Sequence, residues 1–226
     1  MRSTCALFLL VFSAYGARAQ DAAAGGPLPA WTSAHNLAEV VLALERYHDY
    51  GEYDYEIRQV ASAAMVYLER RVHDARKDEK LAVVFDIDET ALSNWAVMSD
   101  CGFCAYKIQV KDSPNTKDPA IEPTLELYRL ARKLGVTTWF ITGRAESQRD
   151  FTSANLHDAG YEGWAGLAMK PDKSTESART FKPAKRREIE DKGYTIVLNI
   201  GDQASDLAGC CAERSFKLPN PFYLVP

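Results

Sequence analysis

From residue 78 onward the chain alternates short apolar runs with amphipathic stretches, and this alternation restricts the possible fold more than any other feature. Residues 81–85, Leu-Ala-Val-Val-Phe, are apolar without a break, as expected of a strand covered on both faces. Residues 121–134 are amphipathic and stop at Gly135, and residues 136–141 form a second apolar run. A helix over 146–159 ending at Gly160, a short strand over 165–168, a polar excursion over 170–180, a helix over 183–192 ending at Gly193 and a strand over 195–200 follow. This order predicts an α/β fold, a parallel sheet with helices on both faces. Upstream, Leu37, Val40, Val41 and Leu44, then Val60, Ala64, Tyr67, Leu68 and Val72, recur at helical spacing and predict two helices parted near Gly51 and packed around the edge of the core. The Tyr- and acid-rich residues 47–55 between them read as a solvated junction, with ligand contact as the other reading.

The N-terminus has a different character. Met1-Arg2, an apolar run over 6–12 and Ala17-Arg18-Ala19 match the pattern of a secretory signal peptide with an A-x-A cleavage site. The apolar run is shorter than the ~20 residues that span a bilayer. The expected organisation is therefore a signal peptide over 1–19, a flexible segment over 20–30, a helical extension over 31–77 and a catalytic domain over 78–226. The expected compartment is periplasmic or secreted, with no membrane span. Loss of Arg2 and Arg18 lowers Lys plus Arg from 27 to 25 against 31 Asp plus Glu, a mature charge of 25 − 31 = −6. That balance argues against a nucleic-acid partner, so an anionic small molecule would need cations gathered locally. Nothing in the pattern specifies an oligomeric state.

Three strand ends concentrate polar chemistry. Residues 81–85 run into Asp86-Ile87-Asp88-Glu89-Thr90, where a parallel strand opens into the ligand crevice of such folds. Two carboxylates two residues apart at a strand end call for a neutralising cation. The run over 136–141 ends in Thr142-Gly143-Arg144, whose hydroxyl and backbone N–H groups suit phosphate oxygens. The run over 195–200 ends in Gly201-Asp202-Gln203-Ala204-Ser205-Asp206, and its carboxylates can complete the oxygen-rich shell that magnesium prefers.

The order D-x-D-x-T, hydrophobic-T-G-R, Lys and G-D-x-x-S-D resembles the four motifs of the haloacid dehalogenase (HAD) superfamily. Residues 84–94 and 199–207 further resemble the acid phosphatases grouped with plant vegetative storage proteins and bacterial class B and C acid phosphatases. The resemblance implies a HAD-like Rossmannoid sheet with only a small cap, and an Mg²⁺-dependent phosphatase of small phosphomonoesters. It makes Asp86 the nucleophile that carries the phosphoryl group, and Asp88 the general acid and then base. It gives Mg²⁺ to Asp86, Asp202 and the main-chain oxygen of Asp88, with Asp206 supporting that shell, and phosphate to Thr142, Gly143 and Lys182. Lys182 follows Phe181 at the start of a helix; Lys185, one turn along, is its competitor for the family's lysine. Arg186 and Arg187 read as solvated helix residues.

Asn94, Trp95 and Arg144 stand where they could touch substrate. Trp95 and Tyr106 suit either stacking on a nucleobase or aryl leaving group, or packing at the base of a loop. Four cysteines remain after removal of 1–19, Cys101, Cys104, Cys210 and Cys211, and in an exported protein they predict disulfides. A bridge between the two loops carrying these pairs is geometrically reasonable; zinc binding is the second reading, and a redox C-x-x-C role the third, since no thioredoxin-like pattern surrounds it. Two further functions fit the same fold: a non-catalytic storage or phosphate-binding protein, and a phosphotransferase.

Overall fold

The computed structural model describes residues 36–103 and 117–225. The expected signal peptide and flexible segment, Cys104 and Tyr106 lie outside them. Residues Leu37–Pro226 form one compact unit.

Among the described residues, five strands, β1 (Lys80–Phe85), β2 (Thr137–Ala145), β3 (Gly166–Lys170), β4 (Tyr194–Gly201) and β5 (Arg214–Lys217), make one sheet in the order β3-β2-β1-β4-β5, and every pairing in it is parallel. Seven α-helices accompany them among the described residues: α1 (Leu37–Asp49), α2 (Glu52–His73), α3 (Trp95–Asp100), α4 (Glu122–Lys133), α5 (Arg149–Asp158), α6 (Ala178–Glu190) and α7 (Ala204–Leu207). β1 lies at the centre, and the chain leaves it toward β2 on one side and reaches β4 on the other. A crevice opens at such a reversal, beyond the C-terminal ends of the strands.

The alternation of side chains along β1 decides what covers each face. Leu81, Val83 and Phe85 join the larger core cluster with Tyr53, Ile57, Ala64 and Leu68 of α2 and Leu125, Leu127, Tyr128 and Ala131 of α4. Ala82 and Val84 point the other way, into a smaller cluster with Ile141, Ile196 and α6 residues Phe181 and Ile189. Burying a large apolar side chain of this kind contributes roughly 1.5–3 kcal/mol, so both faces carry substantial stability. α2 packs against α4, β4 and β5. It therefore covers a sheet face, where the edge was expected, because its buried stripe at positions 53, 57, 61, 64 and 68 repeats at every third or fourth residue along most of its length.

The helix over 183–192 starts earlier than Pro183 suggested. Ser177 caps α6, its side chain accepting the Thr180 N–H, and Pro183 sits inside the helix. β5 was not foreseen, because only Phe216 of its four residues is buried.

Candidate active site

Register brings the three strand ends level. Phe85 pairs with Phe140 on one side and Ile200 on the other, so Asp86, Thr142 and Asp202 follow at the same edge of the sheet. The Asp86 N–H donates to the Ile200 carbonyl at 3.0 Å, which carries the pairing one residue past the strand.

Asp86, Asp202 and Asp206 each offer a carboxylate oxygen, and these three atoms lie within 4.8 Å of one another. All three residues are buried. The Lys182 Nζ is 2.5 Å from Asp86 Oδ1 and 2.5 Å from Asp206 Oδ1. Lys185 instead pairs with Glu188 at 2.6 Å, away from the carboxylates. The glycine preceding Asp202 makes the cluster possible: a Cβ at Gly201 would fall 2.5 Å from both Cβ and Oδ2 of Asp206.

The other bonds to these carboxylates come from nearby loops. Asp202 Oδ1 accepts from Thr90 Oγ1 at 3.2 Å, and its Oδ2 accepts from Gln203 Nε2 and Asn220 Nδ2, each at 2.6 Å. Asp206 Oδ2 accepts the Gln203 N–H at 2.8 Å, so both of its oxygens are engaged. Arg186, expected in solvent, is 1% exposed. It donates to the carbonyls of Asp206 at 2.7 Å and Cys210 at 2.9 Å and also to that of Ala208, fixing the turn that presents Asp206. The reason is its place one turn beyond Lys182 on the buried side of α6.

Three carboxylates facing one ammonium leave negative charge in excess. Burial, then the neighbouring Asp206, raises the Asp86 carboxyl well above its ordinary range and pushes Asp202 up to about 6. Burial alone would lower the Lys182 ammonium, but Asp86 and Asp206 outweigh it and leave it raised. A buried all-oxygen cluster that resists ionisation fits a hard divalent cation. Burial also drives Glu89 up to about 8. The folded values of the three carboxyl groups, Asp86, Asp202 and Glu89, lie above their unfolded ones near 4. Without a divalent cation, therefore, the stability linked to these carboxyl groups is complete below pH ~4 and is lost as pH rises through ~6 for Asp202 and ~8 for Glu89. Urea unfolding of metal-free protein at pH 5 and 8 should show this fall, and added Mg²⁺ should reverse much of it at pH 8.

Glu89 is fully buried in a left-handed conformation, φ 50°. The Tyr53 hydroxyl donates to its Oε2 and the Asn94 N–H to its Oε1, each at 2.5 Å. Residues 47–55 are thus not simply a solvated junction, since Tyr53 ties α2 to the loop after Asp86. Tyr53→Phe should cost about 1 to 3 kcal/mol of unfolding free energy, because it leaves a buried carboxyl oxygen short of a donor.

Among the expected substrate contacts, Arg144 is committed elsewhere. Its Nη2 is 2.7 Å from Asp88 Oδ1, its Nε is 3.1 Å from the same oxygen, and Nη2 also lies 3.4 Å from Asp118 Oδ2. Asn94 is buried with its Nδ2 3.4 Å from that Asp118 oxygen. Trp95 stacks on His48 with centroids 3.6 Å apart and contacts Phe103 and Phe222, which is the packing reading. Thr142 is buried and its Oγ1 accepts the Arg144 N–H at 3.1 Å, while Gly143 is exposed. The cysteines correct the expected bridge between loops: the sulfurs of Cys210 and Cys211 are joined to each other. Cys101 is also disulfide-bonded.

A family model described as HAD superfamily, subfamily IIIB (acid phosphatase), matches residues 20–226. The chain belongs to this family. It is thereby a phosphomonoesterase, and HAD phosphatases generally use a divalent metal. The chain is 37% identical over 182 residues to acid phosphatase 1 of Solanum lycopersicum, covering 76% of this chain and 69% of that protein. It is 33% identical over 183 residues to vegetative storage protein 1 of Arabidopsis thaliana, covering 77% and 66%. The class C acid phosphatase structure from Bacillus anthracis superposes with a TM-score of 0.68 at 23% identity, covering 83% of this chain and 86% of that one, a likeness of fold. Among the described residues of this HAD phosphatase, no helix is long and apolar enough to cross a membrane.

Proposed function

We propose that the protein is an exported, Mg²⁺-dependent acid phosphatase that hydrolyses small phosphomonoesters, aryl phosphates and nucleotides among them, through a phosphoryl group carried on Asp86. The observation that carries this reading is the position of Lys182 Nζ, 2.5 Å from Asp86 Oδ1 and braced by Asp206, beside Asp202. An ammonium there aims the Asp86 carboxylate and offsets charge on the phosphoryl group that forms on it.

Asp86, Asp202 and the main-chain oxygen of Asp88 would hold Mg²⁺. Asp206, with both oxygens engaged by Lys182 and the Gln203 N–H, supports that shell through the lysine. When bound, the cation supplies positive charge next to the phosphate oxygens and the attacking carboxylate. Asp86 attacks phosphorus in line. Asp88, 26% exposed and therefore open to the crevice, protonates the leaving oxygen and then takes a proton from the water that releases phosphate. Thr142 and the Gly143 N–H bind phosphate oxygens.

Export is supported by the A-x-A pattern at residues 17–19 and by the bonded cysteines. Storage-protein relatives support a second, non-catalytic reading of the fold, and the presence of Asp86 with Lys182 and Asp202 favours the enzyme. Phosphate release from an aryl phosphate, with Mg²⁺ and with a chelator, tests the reading. Metal-dependent turnover is expected; none by folded, Mg²⁺-loaded protein at pH ~5 to 8 would favour the storage reading. Added alcohols yielding phosphorylated acceptor in place of free phosphate would mark a phosphotransferase.

A further inference from the structure

Asp202 is held from outside the motif it belongs to. Beyond β5 the chain turns back over the loop that follows β4: the Leu218 N–H donates to the Gly201 carbonyl at 2.9 Å, and residues 220–225 bond to Asp202, Gln203 and Ser205. Phe222 anchors this segment by packing against Tyr53 and Trp95. Two side-chain amides then reach the carboxylate. Asn220 Oδ1 accepts the N–H groups of Phe222 at 2.8 Å and Tyr223 at 3.3 Å, so its Nδ2 is the atom left for Asp202. Gln203 Oε1 accepts the Val225 N–H at 2.9 Å, which fixes that amide in the same sense. Both amide nitrogens donate to one oxygen, Asp202 Oδ2, each at 2.6 Å. Among the described residues Asp202 Oδ1 accepts from the Thr90 hydroxyl alone, at 3.2 Å.

We propose that Asn220 and Gln203 are positioning residues that make Asp202 a ligand through one oxygen and so bias the site toward Mg²⁺ and against Ca²⁺; this rests on the Mg²⁺-dependent reading above. Each carboxylate oxygen has two lone pairs, and the two short amide bonds occupy both on Oδ2. Oδ1 keeps one, so it is the atom that Asp202 can offer a cation. Mg²⁺ demands near-ideal octahedral geometry, which suits a carboxylate aimed firmly and presenting a single atom. Ca²⁺ is larger, tolerates a higher and more variable number of oxygens, and accepts a carboxylate through both of its atoms. Removing a donor from Oδ2 therefore loosens the aim that Mg²⁺ needs while it gives Ca²⁺ a second oxygen. The amides are the outer partners that orient a ligand, and one of them comes from a segment with no motif of its own.

The test is calorimetric titration of the intact, substrate-free protein with Mg²⁺ and, separately, with Ca²⁺, for wild type and Asn220→Ser. Serine keeps an oxygen able to accept the Phe222 N–H, but its side chain ends one atom short of the donor that reaches Asp202. Mg²⁺ affinity should fall on the order of 10- to 100-fold and Ca²⁺ affinity by less than about threefold. Equal losses for the two ions, or no change in either, would overturn the proposal, since a segment that merely holds the loop together has no reason to distinguish cations of equal charge. Should Asn220→Ser fail to fold, Gln203→Met removes the other donor while keeping the side-chain length and the backbone N–H on Asp206. It should shift the preference toward Ca²⁺ in the same way, and an unchanged preference there overturns the idea equally. A folded wild type that takes up neither ion would instead sink the Mg²⁺-dependent reading itself.

Discussion

Asp86→Asn is expected to fold, to bind phosphomonoesters and to release phosphate at least ~10⁴-fold more slowly than wild type. An amide has the shape of the carboxylate but cannot attack phosphorus. The substitution also removes one of three clustered buried carboxylates, two of which share the Lys182 ammonium. Because burial and Asp206 already hold the Asp86 carboxyl well above its ordinary range, the metal-free variant at pH 7 should be at least as stable as wild type. A protein that is dead yet no less stable separates a catalytic role from a structural one. Steady-state phosphate release and urea unfolding measure the two quantities independently.

Lys182→Met should have the opposite stability signature. The methionine keeps most of the apolar stem but leaves Asp86 and Asp206 without their shared donor, in a site where both residues are at most 6% exposed. Breaking a buried ion pair from one side costs about 3–5 kcal/mol. Turnover should fall on the order of 10² to 10³, as when one preorganised electrostatic contact is removed from a reacting centre. Added Mg²⁺ should recover part of the stability and little of the rate, since it replaces charge but not the aimed N–H bond. Lys185→Ala serves as the comparison: its partner Glu188 is 54% exposed, so an effect within about 0.5 kcal/mol is expected. If Lys185→Ala loses turnover while Lys182→Met keeps it, the geometry around Asp86 has been misread.

The parts of the fold legible in the sequence were those whose burial is written as an apolar period. β1 and β4 centre on Val, Ile, Leu and Phe, β2 on Trp139, Phe140 and Ile141, and α4 carries its apolar stripe with Pro123 at its start and Gly135 just beyond its end. Polar residues that are buried escaped, because their burial depends on partners far along the chain. Asn220 lies 18 residues beyond Asp202, which it holds, and has no motif to mark it. Glu89 looked like one more acid in a loop until Tyr53, 36 residues earlier, supplied its donor. Asp118 meets Arg144 across 26 residues. Arg186 did leave a signal: Lys182, Arg186 and Ile189 share one helix face, so a lysine assigned to the interior predicts a buried residue one turn on. Cysteine pairing was open for a different reason, since counting thiols fixes how many bridges can form but not which.

The most direct test of the central claim is acid quenching during turnover, followed by mapping of the covalent phosphoryl group by mass spectrometry. The account predicts a phosphoryl group on Asp86 that is labile to hydroxylamine, forms within the first turnover and is absent from Asp86→Asn. A phosphoryl group on another residue, or substrate consumed by wild type with Asp86 unmodified throughout the first turnover, would contradict it.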